Sequence, residues 1–146
     1  MTPSARRFPR NRSAYRSMLK EHFPWERWSR LIRDRGVVVE RPAHEPHPDY
    51  PEIVYPIDYG FVPETIGTDG DGVDCFLGTA DTGLVGLILT RDYRHGDREV
   101  KLLIDCTPTE IYTAQGFINY DRTLLDGILV LRRPMHQIWK IISRSS

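Results

Sequence analysis

The stretch Tyr55-Pro56-Ile57-Asp58-Tyr59-Gly60, followed shortly by Asp69-Gly70-Asp71-Gly72-Val73-Asp74, decides how this 146-residue chain is read. Three carboxylates, Asp69, Asp71 and Asp74, fall within six residues and are spaced by Gly70 and Gly72. In an extended segment, side chains at i and i+2 share a face, so Asp69 and Asp71 look into one space. A turn at Gly72 would bring Asp74 round to join them. Carboxylates that close repel one another and hold their protons more tightly unless a cation neutralises them. Mg²⁺ suits that role, because it takes hard oxygen ligands and often shares a few carboxylates with substrate phosphates.

Two plainer readings compete. The first is an acidic, glycine-rich surface turn. The second is a calcium loop of the EF-hand type, which fits poorly: counted from Asp69, Val73 falls at a ligand position and the twelfth residue is Ala80, not Glu. The flanks favour a site. Tyr55 and Tyr59 precede the acids, and the apolar run Val73, Cys75, Phe76, Leu77 follows them.

Taken together, Tyr55-Pro56-x-x-Tyr59-Gly60 and Asp69-Gly70-Asp71-x-Val73-Asp74 resemble the signature of the soluble family I inorganic pyrophosphatases. Outside this block, Val37-Val38-Val39-Glu40-Arg41-Pro42-Ala43 resembles the family's first barrel strand, whose Glu, here Glu40, faces the metal site. Asp92 matches an acid before a later turn. Glu99-Val100-Lys101 resembles the acid-x-Lys after it, with Asp97 as a rival for that acid. Trp139-Lys140 stands where the family has a Tyr-Lys pair that contacts phosphate.

The resemblance spans about residues 37–105. It implies an α+β fold with a small, closed, five-stranded OB-like β-barrel, flanking helices and an N-terminal helical extension. It also implies Mg²⁺-dependent hydrolysis of pyrophosphate by a metal-activated water, with Mn²⁺ or another divalent cation as a substitute. The metal ligands would be Asp69, Asp71, Asp74, Asp92, Glu99 and Glu40. Asp71 and Tyr59 would be catalytic, and Tyr55, Lys101, Lys140 and His44 would hold substrate. The family assembles as dimers or hexamers, so a homo-oligomer is expected.

One part of the family pattern is missing. The family places a cation-bearing hairpin between its first Glu and the tyrosine block. Here fourteen residues separate Glu40 from Tyr55, and Arg41 is their single Lys or Arg. With Glu40 facing the site, strand alternation would turn Arg41 away, leaving His44 and His47 as the other candidates. That shortening keeps two further readings open: a hydrolase for a nucleotide or other polyphosphate, with Trp25, Trp28 or Tyr93 stacking on a base, and a non-catalytic relative that binds metal or a partner.

The length suits a single domain. The formal net charge of zero hides an asymmetry. Residues 1–36 hold ten Lys/Arg against three Asp/Glu, and the remainder holds ten against seventeen. This suggests a basic arm with helix over 1–36, partly disordered, and a pyrophosphatase-like barrel with a C-terminal helical segment over 37–146. Nucleic acid is not an expected partner. Cys75 and Cys106 lie in apolar runs and read as buried free thiols. No apolar stretch approaches the roughly 20 residues needed to span a bilayer, and no secretory h-region is visible, so a cytoplasmic protein is expected.

Local patterns add detail. Ser13 caps a short helix over 13–22 with Tyr15, Met18 and Leu19 on one face. Trp25, Trp28, Leu31 and Ile32 form a second helical stripe, opened by Pro24 and closed by Gly36. Strands are expected at 37–40, 53–57, 74–79, 84–90 and 99–105. Thr107-Pro108-Thr109-Glu110 reads as a capping box with proline at the first helical position. Residues 121–142 carry many Leu and Ile, and Pro134 must break any helix through them.

Overall fold

A computed structural model of the protein describes residues 12–66 and 72–145. Asp69 and Asp71 lie outside the described residues. Two helices come first, α1 (Arg12–His22) and α2 (Trp25–Arg35). Five strands follow: β1 (Val38–Arg41), β2 (Asp58–Val62), β3 (Val73–Leu77), β4 (Leu84–Asp92) and β5 (Arg98–Ile104). Helix α3 (Pro108–Ile118), strand β6 (Leu125–Leu131) and helix α4 (Met135–Ser145) complete the chain.

The strands form one mixed sheet in the order β1-β2-β3-β5-β4-β6. All neighbours are antiparallel except β3 and β5, which run parallel. Among the described residues no pairing joins β1 to β6. The sheet is therefore six-stranded and open, and this corrects the expected closed five-stranded barrel. The extra strand is β6, which the sequence hid: Leu124, Leu125, Ile128 and Leu129 also suit a helix, and short apolar runs are ambiguous between the two. Pro134 falls between β6 and α4.

Both faces of the sheet are covered. On one face Val62, Val73, Cys75, Leu87, Leu102 and Ile128 pack with Tyr15, Leu19, Phe23, Trp25, Trp28 and Ile32 of α1, α2 and their link. On the other, Phe76, Val85, Ile88, Leu103 and Leu129 pack with Ile111, Ala114 and Ile118 of α3 and Ile138 of α4. A strand enclosed on both sides needs apolar residues on both, so Leu84–Leu89 read as an unbroken apolar run. Helix α1 follows the expected stripe through Tyr15 and Leu19, whereas Met18 stays 45% exposed. Its arginines also dock: Arg12 pairs with Asp126 at 3.3 Å, and Arg16 Nε donates to the Leu129 carbonyl at 2.7 Å.

Helix ends follow local chemistry. Gly36 closes α2 at φ 72°, where its N–H reaches the Ile32 carbonyl. Thr107 and Glu110 form the expected capping box of α3. The Glu110 carboxylate also accepts from the Thr79 N–H at 3.1 Å, tying the helix start to the end of β3.

The segment 53–57 is not a strand. It makes one isolated bridge, Pro46 to Val54, and β2 starts only at Asp58. Pro51 and Pro56 explain this, since proline donates no ladder hydrogen bond and restricts the residue before it. Tyr55 therefore comes from a loop and Tyr59 from a strand. Asp58 fastens the loop, accepting from the Ala43 N–H at 2.8 Å.

Candidate active site

Three adjacent strands supply the centre of the site. Strand β3 alternates Val73 and Cys75 into one core, so Asp74 and Phe76 point to the opposite face. On β5, Val100 and Leu102 belong to the first core, which turns Glu99 and Lys101 to the Asp74 face. On β2, Tyr59 pairs in register with Phe76 and joins the same face.

These four side chains form a tight polar network. The Tyr59 hydroxyl donates to Asp74 Oδ2 at 2.6 Å. Lys101 Nζ donates to the Tyr59 oxygen at 2.6 Å and to Asp74 Oδ2 at 3.2 Å. It also pairs with Glu99 Oε2 at 3.4 Å. Lys101 is a charged group only 8% exposed, and the two carboxylates are what make its burial tolerable. Its ammonium also lies 5.2 Å from the Tyr59 ring centroid. Burial first, then the Asp74 carboxylate, pushes the Tyr59 phenol well above its ordinary value. Tyr59 is thus fixed as a neutral donor.

An aromatic wall backs the network. The rings of Tyr55 and Tyr59, Tyr59 and Phe76, and Tyr55 and Phe117 each sit 5.0 Å apart. Burial raises the Tyr55 phenol. The positive charge of Arg41 opposes that rise, and Asp74 and Glu40 add to it. Phe117 reaches the site from α3, and no local sequence pattern marks it.

The other expected site residues are distributed differently. Asp92 ends β4, and its Oδ1 accepts from the Arg94 N–H at 2.8 Å and the His95 N–H at 3.3 Å. Slight burial raises its carboxyl, but these bonds and the Arg94 guanidinium outweigh that and lower it. His44 is exposed at φ 69° and touches the site through its backbone, its N–H reaching the Tyr55 carbonyl at 2.7 Å. Lys140 is exposed on α4 beside Trp139, and among the described residues no hydrogen bond or ion pair joins it to the Lys101 network.

Glu40 and Arg41 depart from simple alternation. Val39 pairs with Gly60 and Arg41 with Tyr59, so Glu40 is an extra residue in a β-bulge. Residues directly opposite share a face, so Arg41 lies on the Tyr59 side. The expectation that Arg41 turns away fails here, because alternation does not survive a bulge. The Glu40 charge is still felt at Tyr55.

Among the described residues, no group of three His, Cys, Asp or Glu side chains is placed to hold a metal ion. Asp74 and Glu99 nevertheless fit a hard cation chemically. Both are carboxylates on one face, and they already share one cation, Lys101. Asp69 and Asp71, the rest of the expected donor set, lie outside the described residues.

Residues 40–91 match the family model described as inorganic pyrophosphatase, just over a third of the chain. The match takes in Glu40, Tyr55, Tyr59 and the three aspartates and stops before Asp92. No curated protein matches. Among solved structures, an inorganic pyrophosphatase from Coxiella burnetii superposes with a TM-score of 0.51 at 16% identity, covering 75% of this chain and 94% of that one. One from Neisseria gonorrhoeae gives 0.48 at 21% identity, covering 77% and 90%. One from Thermus thermophilus gives 0.43 at 20% identity, covering 74% and 88%. The Coxiella likeness bears on the fold alone, and the family model bears on the signature block. Over residues 40–91 the chain is thus similar to the inorganic pyrophosphatases, and its fold is similar to theirs.

Proposed function

We propose that the chain is a divalent-metal-dependent hydrolase that splits inorganic pyrophosphate into two phosphates. The observation that carries this reading is the network of Lys101, Asp74, Glu99 and Tyr59 on one sheet face, beside the acidic block that matches the family model. Asp69, Asp71, Asp74 and Glu99, with Asp92 and Glu40, would hold the metal, Mg²⁺ by preference. A bound divalent ion would supply charge neutralisation and lower the proton affinity of water.

The chain's own residues have distinct tasks. Lys101 offsets the Asp74 and Glu99 charges before substrate arrives and can turn its protons to a phosphate oxygen afterwards. Tyr59, kept protonated, orients Asp74 and holds it in one rotamer. The ring wall of Tyr55, Phe76 and Phe117 limits water around the anhydride. One water attacks phosphorus, one P–O bond breaks, and phosphate leaves as the second product. Positioning and electrostatics carry most of such a step.

A second reading is favoured by a cavity of about 260 Å³ lined by Phe23, Trp28, Val73, Leu89 and Val100 of the first core together with Asp74, Arg98 and Glu99. It is large enough for an organic group, which would make a nucleoside polyphosphate the substrate. Phosphate release from pyrophosphate and from a nucleotide panel, with Mg²⁺ and Mn²⁺, tests both. Absence of release from all of them at micromolar protein would refute the hydrolase. A nucleotide preference lost in Trp28→Ala would select the second reading. A cytoplasmic location and a homo-oligomer are part of the proposal. The structure's own contribution there is narrower: none of its helices is long and apolar enough to cross a membrane, among the described residues.

A further inference from the structure

The cations on the site face differ in how far they are already committed. Lys101 is engaged by two carboxylates and a phenol. Arg41 is not. Among the described residues its one hydrogen bond is a long one, Nη1 to the carbonyl of its neighbour Glu40 at 3.3 Å. Among the described residues it forms no ion pair with a carboxylate. Its Nε is covered and has no partner. A half-buried guanidinium without an anion is costly unless an anion joins it, because burial penalises unpaired charge.

Its position is specified by backbone, not by chance rotamer. The bulge at Glu40 sets Arg41 opposite Tyr59, on the face that carries Asp74, Glu99 and Lys101. Pairing at this edge is close. A Cβ on Gly60 would stand 1.9 Å from the Val38 carbonyl oxygen, so the glycine is required for β1 to lie as it does. Pro42 follows directly and ends the strand, holding Arg41 at its last position. The Arg41 charge reaches Tyr55, which places it beside the aromatic wall. Arginine also matches the fork of two phosphate oxygens better than any other side chain.

We propose that Arg41, turned onto the site face by the bulge at Glu40, grips a phosphate group of the substrate. Arg41 is a binding residue in this account, and the account rests on the phosphoanhydride reading for the identity of the anion. It makes the edge strand β1 part of substrate recognition.

The test compares wild type with Arg41→Gln, Arg41→Lys and a control on α2, Arg33→Gln. Affinity for methylenediphosphonate, which resists hydrolysis, is read with Mg²⁺ present by thermal shift and calorimetry. Arg41→Gln should weaken it about tenfold to a hundredfold, the usual range for a lost charge-assisted hydrogen bond. Arg41→Lys should fall between, since it keeps charge and loses the fork. Arg33→Gln should match wild type. In turnover, Arg41→Gln should raise KM for pyrophosphate more than it lowers kcat. The ligand-free melting temperature of Arg41→Gln should match or slightly exceed wild type, because it loses one long hydrogen bond and also the cost of the unpaired guanidinium. Unchanged affinity and KM in Arg41→Gln, beside an active wild type, would overturn the proposal and leave the hydrolase standing. An equal loss in Arg33→Gln would also overturn it, by showing general charge attraction. An Arg41-dependent diphosphonate affinity in a wild type that releases no phosphate would support it while the hydrolase falls.

Discussion

Replacing Lys101 by Met tests whether the carboxylates around it are built for a cation. Methionine keeps the aliphatic stem packed and removes the ammonium. The change leaves Asp74 and Glu99 on one face without their shared counter-charge, and takes one donor from the Tyr59 oxygen. Breaking a fully buried pair from one side costs about 3–5 kcal/mol. The Asp74 and Glu99 side chains are 19% and 25% exposed, so water recovers part of that loss. A cost of about 2 kcal/mol follows, which for a chain of this length lowers Tm by roughly 4–8 °C. A divalent ion can replace the missing charge. Stabilisation by ligand grows as RT ln(1 + [L]/Kd), about 2.7 kcal/mol at a hundredfold excess over Kd. Millimolar Mg²⁺ should therefore stabilise Lys101→Met more than wild type, closing much of the gap in urea and thermal unfolding. Activity should still fall, because substrate loses a cation. Equal Mg²⁺ shifts in the two proteins, or a metal-free loss well under 1 kcal/mol, would refute the reasoning.

Asp71→Asn should cut phosphate release by orders of magnitude and shrink the Mg²⁺-induced Tm shift, while a mere surface turn would leave both unchanged, since Asn is also a good turn residue. Gly60→Ala should cost about 3 kcal/mol or more in urea unfolding, because its Cβ cannot share space with the Val38 carbonyl, and surviving protein should show β1 protons exchanging early. Burial pushes the Cys75 thiol up to about 12, with Asp74 adding to it, and raises Cys106 as well. Neither should react with a disulfide reagent at pH 8 until the protein unfolds. The unfolded thiols ionise near 9.0 while the native ones stay protonated, so these residues' contribution to stability is complete below that pH and declines above it. Unfolding curves from pH 8 to 10.5, compared with Cys75→Ala/Cys106→Ala, measure that decline.

What could be read in advance follows the range over which each signal acts. The capping box at Thr107 and the stop at Gly36 are local hydrogen-bond chemistry, and both are found where the residues put them. The strands of the β3 to β5 region announced themselves by apolar runs between turns. Four side chains singled out from the sequence, Tyr59, Asp74, Glu99 and Lys101, are neighbours, because alternation on β3 and β5 holds without interruption. Alternation fails at Glu40, since a bulge depends on how β2 approaches and leaves no mark in composition. Strand β6 was hidden for a related reason: its Leu-rich run becomes a strand only because β4 offers an edge to pair with. Asp92 carries the residue type of a ligand, yet its Oδ1 also holds its own turn, which residue type cannot reveal.

The parallel contact between β3 and β5 has a kinetic consequence. Asp74 and Lys101 meet only once Cys75, Phe76 and Leu77 have found Leu102, Leu103 and Ile104, across a connection that includes all of β4. A hairpin can close early on its own, but this pairing must first meet the entropy of a long loop. Tyr59 and Asp74 can meet early on the β2–β3 pair, but the link from Asp74 to Lys101 has no local precursor. It appears with the completed sheet and disappears with it, so the amide protons of Leu102 and Leu103 should exchange through global opening. Any cation the network holds would then be released on the timescale of unfolding or through the mouth of the site, with no partly folded reservoir between.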